Sequence, residues 1–246
     1  MTDLESTIFN TMRITYGERL QKFWDTDEFP KVSENTVLLI ESDENPNIDI
    51  ILQVVMFFTK QKNFSLTIVC SQNSEEFFLK LLGKHVLNTH VLAILKKQNN
   101  DPEEYNKLIT DSFFWGRIRA LNILLIHSKC YLRKPLPEIL WTGDFCSSYK
   151  LGEASNGRAL CFINKLSAID MCKRSSESKD DADLFFKKSI LSLGKRRVHP
   201  DIEFHIFVEH SKFENPCGVS NWWHHFFSGS SEDINKYFKI YSTLMM

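Results

Sequence analysis

The amino-acid sequence predicts an α/β fold in which a mixed, mostly parallel central sheet is flanked by helices. Four short apolar runs, at 36–42, 64–70, 89–95 and 122–127, alternate with segments of helical periodicity. The runs are almost continuously apolar, which is typical of parallel strands buried on both faces. With 246 residues, of which 43% are hydrophobic, the chain is long enough for one large α/β domain.

Helices are predicted before and between these strands. In chain order they cover 2–24, the stretch from Asn45 and Pro46 through Phe58, 74–84 and 103–118. The first helix belongs to a predicted N-terminal extension over 1–34, and residues 35–246 form the predicted α/β domain.

The second half of the chain is less regular. Two prolines in 131–145 exclude a regular helix there. Beyond them the sequence predicts a turn at Asn156-Gly157 followed by a strand, helices over 166–172 and 183–194, a strand over 202–209 and a short C-terminal helix.

Composition and charge disfavour several classes of protein. The net charge is −1, with 30 basic and 31 acidic residues, so the basic excess of a nucleic-acid-binding protein is missing. The longest mostly apolar run, 48–58, is about half the ~20 residues that a membrane-spanning helix needs. The first residues lack the features of a signal peptide, and the six cysteines form no C-x-x-C pair. We therefore expect a cytoplasmic protein with buried free thiols.

Familiar catalytic motifs are also missing from the sequence. It contains no G-x-G-x-x-G, no P-loop, no H-E-x-x-H and no G-x-S-x-G. This disfavours dinucleotide-dependent dehydrogenases, P-loop enzymes and standard serine hydrolases.

Three other groups of residues could carry chemistry, and each has a structural alternative. His205, Phe207 and Glu209 share one face of a predicted strand, which suits either the metal site of a hydrolase or a partly buried strand face. The basic residues at 195–197 suit a phosphate contact or the end of a helix. Asp183 suits a catalytic acid or a helix cap.

The fourth predicted strand ends in His127, Ser128, Lys129 and Cys130. In an open α/β sheet, ligands bind outside the carboxyl ends of the strands. Many phosphate-handling enzymes place a metal-binding aspartate there, whereas a lysine can itself neutralise a phosphate as a point charge.

The segments "VLLIESDENPN", "FSLTIVCSQN" and "YNKLITDSFFW" together resemble a family of glycosyltransferase-like proteins. This family is defined as a domain of unknown function and occurs in algae, bacteria and large DNA viruses. The third segment is the most specific, because Phe114 and Trp115 stand nine and ten positions after Tyr105. The resemblance covers roughly residues 35–225 and implies a nucleotide-sugar transferase fold, similar to the GT-A type.

The chain departs from this family where the resemblance implies a metal site. In the family, a strand ending in Q-x-D and a late histidine would hold Mn²⁺ or Mg²⁺ against the donor diphosphate. Lys129 replaces the aspartate here, and Ser220 replaces the histidine. We expect no metal ligands, which leaves two alternatives: a metal-independent transferase in which Lys129 replaces the ion, or a catalytically inactive binding protein on the same fold.

The resemblance also implies roles for individual residues. Asp183 would orient or deprotonate the acceptor hydroxyl. The donor diphosphate would contact Glu41, Ser128, Lys129, Asn156, Gly157 and Arg158, while the acceptor or sugar would contact Glu209, Trp222 and Trp223. Glu209 and the two tryptophans also suit purely structural roles. The implied partners are a nucleotide-sugar donor and a glycan or protein acceptor, and a viral source would place the protein in the host cytoplasm or the virion.

Overall fold

The computed structural model describes residues 3–96, 102–128, 130–147, 160–174, 182–196, 206–209 and 217–220. For 3–5, 102, 182–183, 208–209 and 218–220 it describes the backbone alone. The helices are α1 (Asp3–Thr26), α2 (Ile48–Thr59), α3 (Glu75–Leu82), α4 (Pro102–Ile109), α5 (Ser112–Arg117), α6 (Lys165–Arg174) and α7 (Ala182–Ser192). The strands are β1 (Asn35–Ile40), β2 (Ser65–Ser71), β3 (Thr89–Leu95), β4 (Asn122–Ile126), β5 (Cys130–Leu132), β6 (Phe145–Ser147), β7 (Cys161–Asn164), β8 (Phe207–Glu209) and β9 (Gly218–Ser220).

The larger sheet has six strands in the order β3-β2-β1-β4-β7-β6. Strands β3, β2, β1 and β4 are parallel, β7 runs antiparallel to β4, and β6 runs antiparallel to β7. Five of these six strands therefore run in one direction. This confirms the predicted α/β fold with a mixed, mostly parallel sheet, and β1 to β4 are the four strands that the apolar runs predict.

The two faces of this sheet carry separate apolar clusters. Val37 and Leu39 of β1 pack with residues of α1, α2 and α3, whereas Leu38 and Ile40 pack with residues of α4, α5, α6 and α7. Neighbouring residues of a strand point to opposite faces. Because helices cover both faces, the strand sequences are apolar without interruption.

Helix α1 packs against α2 and belongs to the core on that side of the sheet. Its residues Ile8, Met12, Tyr16 and Leu20 are buried and recur every four positions. They lie in the same apolar cluster as β1 and β2. The division of the chain at residue 34 remains a prediction, but α1 contributes buried surface to the core that the rest of the chain builds.

The prediction of a single helix over 103–118 is wrong. The chain forms α4 and α5 instead, and Asp111 lies between them with extended backbone angles, φ −88° and ψ 119°. Its carboxylate accepts a hydrogen bond of 2.9 Å from the N–H of Phe113. An aspartate that caps a new helix start competes with continuation of the preceding helix.

A second, three-stranded sheet has the order β5-β9-β8. Strand β5 begins soon after β4 ends, and its buried residues pack on the side of α2. Of the strand predicted over 202–209, residues Phe207–Glu209 form β8, while 202–205 lie outside the described residues, as does the predicted turn at Asn156-Gly157.

Candidate functional site

The strand order of the larger sheet creates a topological switch point between β1 and β4. From β1 the chain moves outward to β2 and then β3, and it returns to the other side of β1 as β4. Connections on the two sides of such a point diverge and leave a crevice at the carboxyl ends of the strands, where ligands of α/β proteins bind. We call this end of the sheet the carboxyl edge, and the opposite end the amino edge.

Glu41 and Ser128, two of the predicted donor contacts, follow the two strands at this switch point. Leu39 of β1 pairs with Ile126 of β4, and Glu41 and Ser128 each come two residues after that pair. Their exposed fractions are only 1% and 7%. The structure thus brings the two residues to neighbouring strand ends, but it leaves them little contact with solvent.

Ser71 links the end of β1 to the start of α3. Its hydroxyl donates a 3.0 Å hydrogen bond to the carbonyl oxygen of Ser42 and lies 2.8 Å from the hydroxyl of Ser74. The N–H of Ser74 donates to Ser71 Oγ at 3.2 Å. Ser71 is not among the predicted site residues, although a serine at a strand end gives the same sequence signal as Ser128.

A cavity of about 480 Å³ opens at the carboxyl ends of β2 and β3. Its polar lining consists of Ser71, Gln72, Asn73, Lys96 and Arg117, and its apolar wall of Ala93, Ile94 and Leu95. Two cationic groups beside neutral hydrogen-bonding groups can hold an anionic ligand, and a guanidinium can bind one phosphate through two hydrogen bonds. Lys96 and Arg117 are absent from the predicted site because they follow different elements and share no motif.

A second cavity, of about 460 Å³, shares its wall of Ile94, Leu95 and Lys96 with the first and extends toward α4. The backbone N–H of Lys96 donates a 2.7 Å hydrogen bond to the carboxylate of Glu104. This contact fixes the backbone that follows β3, so the position of Lys96 at the cavity depends on α4.

The small sheet brings two more predicted positions to the carboxyl edge. Cys130, which follows Lys129 in the chain, pairs with Ser220 of β9, and Ser220 pairs with Glu209 of β8. Neighbouring strands lie about 4.8 Å apart. The backbone of Ser220 therefore lies one strand away from Cys130, and that of Glu209 lies two strands away.

Other predicted site residues lie outside the described residues. They are Lys129, Asn156, Gly157, Arg158, Trp222 and Trp223, together with His205 of the alternative metal site. Asp183 is the second residue of α7 and Glu209 ends β8, and for both the structure describes the backbone alone.

Two of the basic residues after α7, Lys195 and Arg196, lie at the amino edge, and Arg197 lies outside the described residues. The ammonium group of Lys195 is 2.9 Å from Asp170, and the backbone N–H of Arg196 donates a 2.9 Å hydrogen bond to Asp144. Asp144 directly precedes β6, and its carbonyl oxygen accepts a hydrogen bond from the N–H of Asn164, the last residue of the antiparallel strand β7. Lys195 and Arg196 are therefore held at the amino edge, which favours the end-of-helix alternative for these two residues.

Three of the four aromatic residues of the "YNKLITDSFFW" segment serve the core, whereas Phe113 is 82% exposed. Tyr105, Phe114 and Trp115 are buried in the cluster that packs against Leu38 of β1. The indole N–H of Trp115 donates a 2.7 Å hydrogen bond to the carbonyl oxygen of Ile109. This segment therefore forms most of α4, all but the end of α5 and the junction between them, and its residues Lys107, Leu108 and Asp111 also line the second cavity.

Burial makes the thiols poor nucleophiles at neutral pH. It raises the pKa of Cys70, at the end of β2, to about 11, with a further contribution from the nearby charge of Glu75. Burial also raises the pKa values of Cys172 and Cys217 to about 12. These thiols stay protonated, and a thiolate is the reactive form.

The described residues show neither a metal-ion cluster nor a membrane-spanning helix. They contain no group of three or more His, Cys, Asp or Glu side chains placed to hold a metal ion. Among the same residues, no helix is both long and apolar enough to cross a membrane.

No protein-family model matches the chain, and no curated protein matches it by sequence. Several solved structures are similar to it at low identity. A cytidylyltransferase from Leptospira borgpetersenii is 10% identical with a TM-score of 0.42, over 88% of this chain and 97% of that one. The galactosyltransferase LgtC, in complex with donor and acceptor sugar analogues, is 9% identical with a TM-score of 0.45, over 85% of this chain and 95% of that one.

A 4-diphosphocytidyl-2C-methyl-D-erythritol synthase from Anaerococcus prevotii is 10% identical with a TM-score of 0.41, over 85% of this chain and 98% of that one. Likeness at this level transfers neither an activity nor a residue role to this chain.

Proposed function

We propose that this chain is a glycosyltransferase that binds a nucleotide-sugar donor at the carboxyl edge and passes the sugar to a glycan or protein acceptor without a metal ion. The pairing of β5 with β9 carries the proposal. It brings Ser220 opposite Cys130, the chain neighbour of Lys129. Positions 129 and 220 are those at which the resemblance implies the two metal ligands. The pairing supports one site there, because Ser220 lies opposite a residue that is 90 positions away in sequence and adjacent to Lys129 in the chain.

The residues at this edge would replace the metal ion by protein cations. Lys129 would neutralise the diphosphate as a point charge, and Arg158 would add a guanidinium. On the other side of the switch point, Lys96 and Arg117 line the cavity and would bind further donor oxygens. The backbone at Asn156-Gly157 would approach the donor closely, because glycine lacks a side chain.

The transfer step balances without a co-reactant. The acceptor hydroxyl oxygen forms a bond to the anomeric carbon, and the bond from that carbon to the diphosphate oxygen breaks. The hydroxyl proton passes to the carboxylate of Asp183, and the nucleoside diphosphate leaves as an anion that Lys129 stabilises. Glu209, Trp222 and Trp223 would hold the acceptor or the sugar.

One observation favours a second function, a catalytically inactive binding protein. Glu41, His127, Ser128 and Cys130 are all buried at the switch point. In a protein that has lost its catalytic role, the protein's own side chains would fill the former donor site. In that case the carboxyl edge would bind a partner or nothing, and no nucleotide would stabilise the protein.

A thermal-unfolding series separates these functions. UDP, GDP, CDP and their common sugars are each added with Mn²⁺ and with EDTA, and a ligand at 100 times its dissociation constant should stabilise the protein by about 2.7 kcal/mol. Stabilisation that survives EDTA supports the metal-free donor site, and stabilisation that needs Mn²⁺ contradicts it. No stabilisation by any nucleotide favours the binding protein.

Two substitutions refine this test. Lys129→Ala should weaken binding of the nucleoside diphosphate, because it removes the cation that faces the phosphates. Asp183→Ala should spare binding and abolish transfer, because it removes only the base. Equal diphosphate affinity in the wild type and in Lys129→Ala would refute the replacement of the metal by lysine.

A further inference from the structure

We propose that Arg13, on the N-terminal helix, is a positioning residue that fixes the loop between β1 and α2 at the carboxyl edge. This loop, residues 41–47, begins with Glu41 and Ser42 beside the switch point. The expected effect of Arg13 on ligand binding rests on the donor site proposed above. Its effect on the loop can be measured in the protein without ligand.

Arg13 holds the far end of the loop through three contacts. Its Nη1 donates a 2.9 Å hydrogen bond to Asn47 Oδ1, and its Nη2 donates 2.8 Å hydrogen bonds to the carbonyl oxygen of Pro46 and to Asp49 Oδ1. The last contact is also an ion pair, with side chains 35% and 44% exposed. The rigid planar donor set of arginine fits three acceptors at once, which the single ammonium of lysine does less well.

The near end of the loop is held by the sheet. The N–H of Glu41 donates to the carbonyl oxygen of Val69 at 2.9 Å, and Ser71 Oγ donates to the carbonyl oxygen of Ser42 at 3.0 Å. The loop therefore has one anchor in β2 and one in α1.

Contacts between the two anchors are local. The N–H of Asn45 donates to the carbonyl oxygen of Asp43 at 3.0 Å, and the N–H of Asn47 donates to Asn45 Oδ1 at 2.9 Å. The Asn45 side chain thus closes a turn within the loop, while α2 begins later, at Ile48. These short-range bonds shape the turn, and the Arg13 contacts tie its far end to α1.

Under this proposal, donor binding needs the arrangement of the loop that the Arg13 contacts hold. If a substitution lowers the fraction of molecules in that arrangement, the apparent dissociation constant rises by the inverse of that fraction. Arg13 lies in the predicted extension over 1–34, so this segment would be needed for ligand binding as well as for the core.

The test compares Arg13→Ala, Arg13→Lys and Lys22→Ala. Lys22 is the control, because it is an exposed cation on the same helix, nine positions and about 13.5 Å along the helix axis from Arg13. Hydrogen exchange of the amides at 42–48 reports on the loop, and calorimetric titration with the nucleotide that stabilises the wild type reports on binding. Both are measured well below the unfolding temperature of every variant.

We expect Arg13→Ala to accelerate exchange in the loop and to weaken nucleotide binding roughly three- to tenfold. This is the change in affinity that follows when the fraction of binding-competent molecules falls to about a third or a tenth. Arg13→Lys should recover part of both effects, and Lys22→Ala should change neither. Unchanged loop exchange in Arg13→Ala would overturn the inference. A lower unfolding temperature with unchanged affinity would mean that Arg13 is merely structural.

The two proposals fail in different ways. If the wild type binds no nucleotide, the proposed function fails and the positioning of a donor fails with it. Faster loop exchange in Arg13→Ala would then still show that Arg13 anchors this loop. If the wild type binds nucleotide and Arg13→Ala binds it with the same affinity, only the proposed role of Arg13 is refuted.

Discussion

The two edges of the large sheet use the same types of charged residue differently. At the amino edge the charges meet each other: Asp170 binds both Lys195 at 2.9 Å and Arg174 at 2.7 Å. At the carboxyl edge, Lys96 and Arg117 line a cavity of about 480 Å³ together with neutral serine, glutamine and asparagine side chains. A cation that already holds a carboxylate contributes to stability, whereas one that faces a cavity can hold a ligand.

Asp144 gives the largest expected effect at the amino edge. Its carboxylate accepts hydrogen bonds of 2.9 Å from Ser167 Oγ and from the N–H of Arg196, and its side chain is only 16% exposed. Asp144→Ala should lower the free energy of unfolding by about 1.5–3 kcal/mol, since bonds to a charged group are lost. Urea denaturation measures this loss.

Asp144→Asn is the matched variant, because it keeps an acceptor oxygen and loses only the charge. It should fall between the wild type and Asp144→Ala. Nucleotide binding should be the same in all three proteins, and weaker binding in Asp144→Ala would break the distinction between the two edges.

Substitutions at the carboxyl edge should show the opposite pattern. Lys96→Ala and Arg117→Ala should each weaken nucleotide binding about tenfold, which corresponds to one charge-assisted hydrogen bond, and should leave unfolding nearly unchanged. Lys62→Ala is the control, because its ammonium group binds Glu138 away from the cavity. If all three variants bind alike, the cavity is not the donor site.

Acid should destabilise β3 and the segment that precedes it. Burial lowers the pKa of His85, whose ring packs between Trp24 and Phe29 and whose Nε2 lies 2.7 Å from the carbonyl oxygen of Trp24. Burial also lowers the pKa of His90, with a contribution from the charge of Arg119.

Because the folded-state pKa is depressed, the unfolded chain binds the proton more readily, and stability falls as the pH drops below about 6.5. Each histidine can contribute at most about 1.4 kcal/mol per pH unit. Urea midpoints between pH 8 and pH 5 measure the slope, which should be smaller in His85→Gln. A slope that this substitution leaves unchanged would assign the acid sensitivity to other groups.

The smallest effect is expected at the exposed ion pair between Lys62 and Glu138. The carboxylate side chain is 80% exposed, so solvent screens the interaction. Glu138→Ala should change the free energy of unfolding by less than about 0.5 kcal/mol. A larger loss would show that the amino edge depends on its exposed pairs as much as on Asp144.

The strands of the first half could be predicted because their signal is local. A run such as "TVLLIES" is apolar on consecutive positions when both faces of the strand are covered, and the almost fully buried strands β1, β2 and β4 confirm this. The edge strand β3 is only partly buried. The break between α4 and α5 was harder to predict, because a capping aspartate at 111 competes with a helical pattern on both sides of it.

The residues at the carboxyl edge divide in the same way. The positions of Glu41 and Ser128 at this edge could be predicted from the sequence, because each follows an apolar strand and parallel strands end at one edge. Lys96, Arg117 and Ser71 could not be selected over similar residues, because what distinguishes them is a shared cavity.

The sequence by itself determined the α/β class and four parallel strands, since burial imposes its pattern on neighbouring residues. Only the tertiary structure decided that Ser220 lies opposite Cys130, that Arg13 reaches Pro46 and Asn47, and that Lys195 lies at the amino edge. These contacts join residues far apart in the chain. Their existence depends on strand order and helix packing, which no local pattern of residues records.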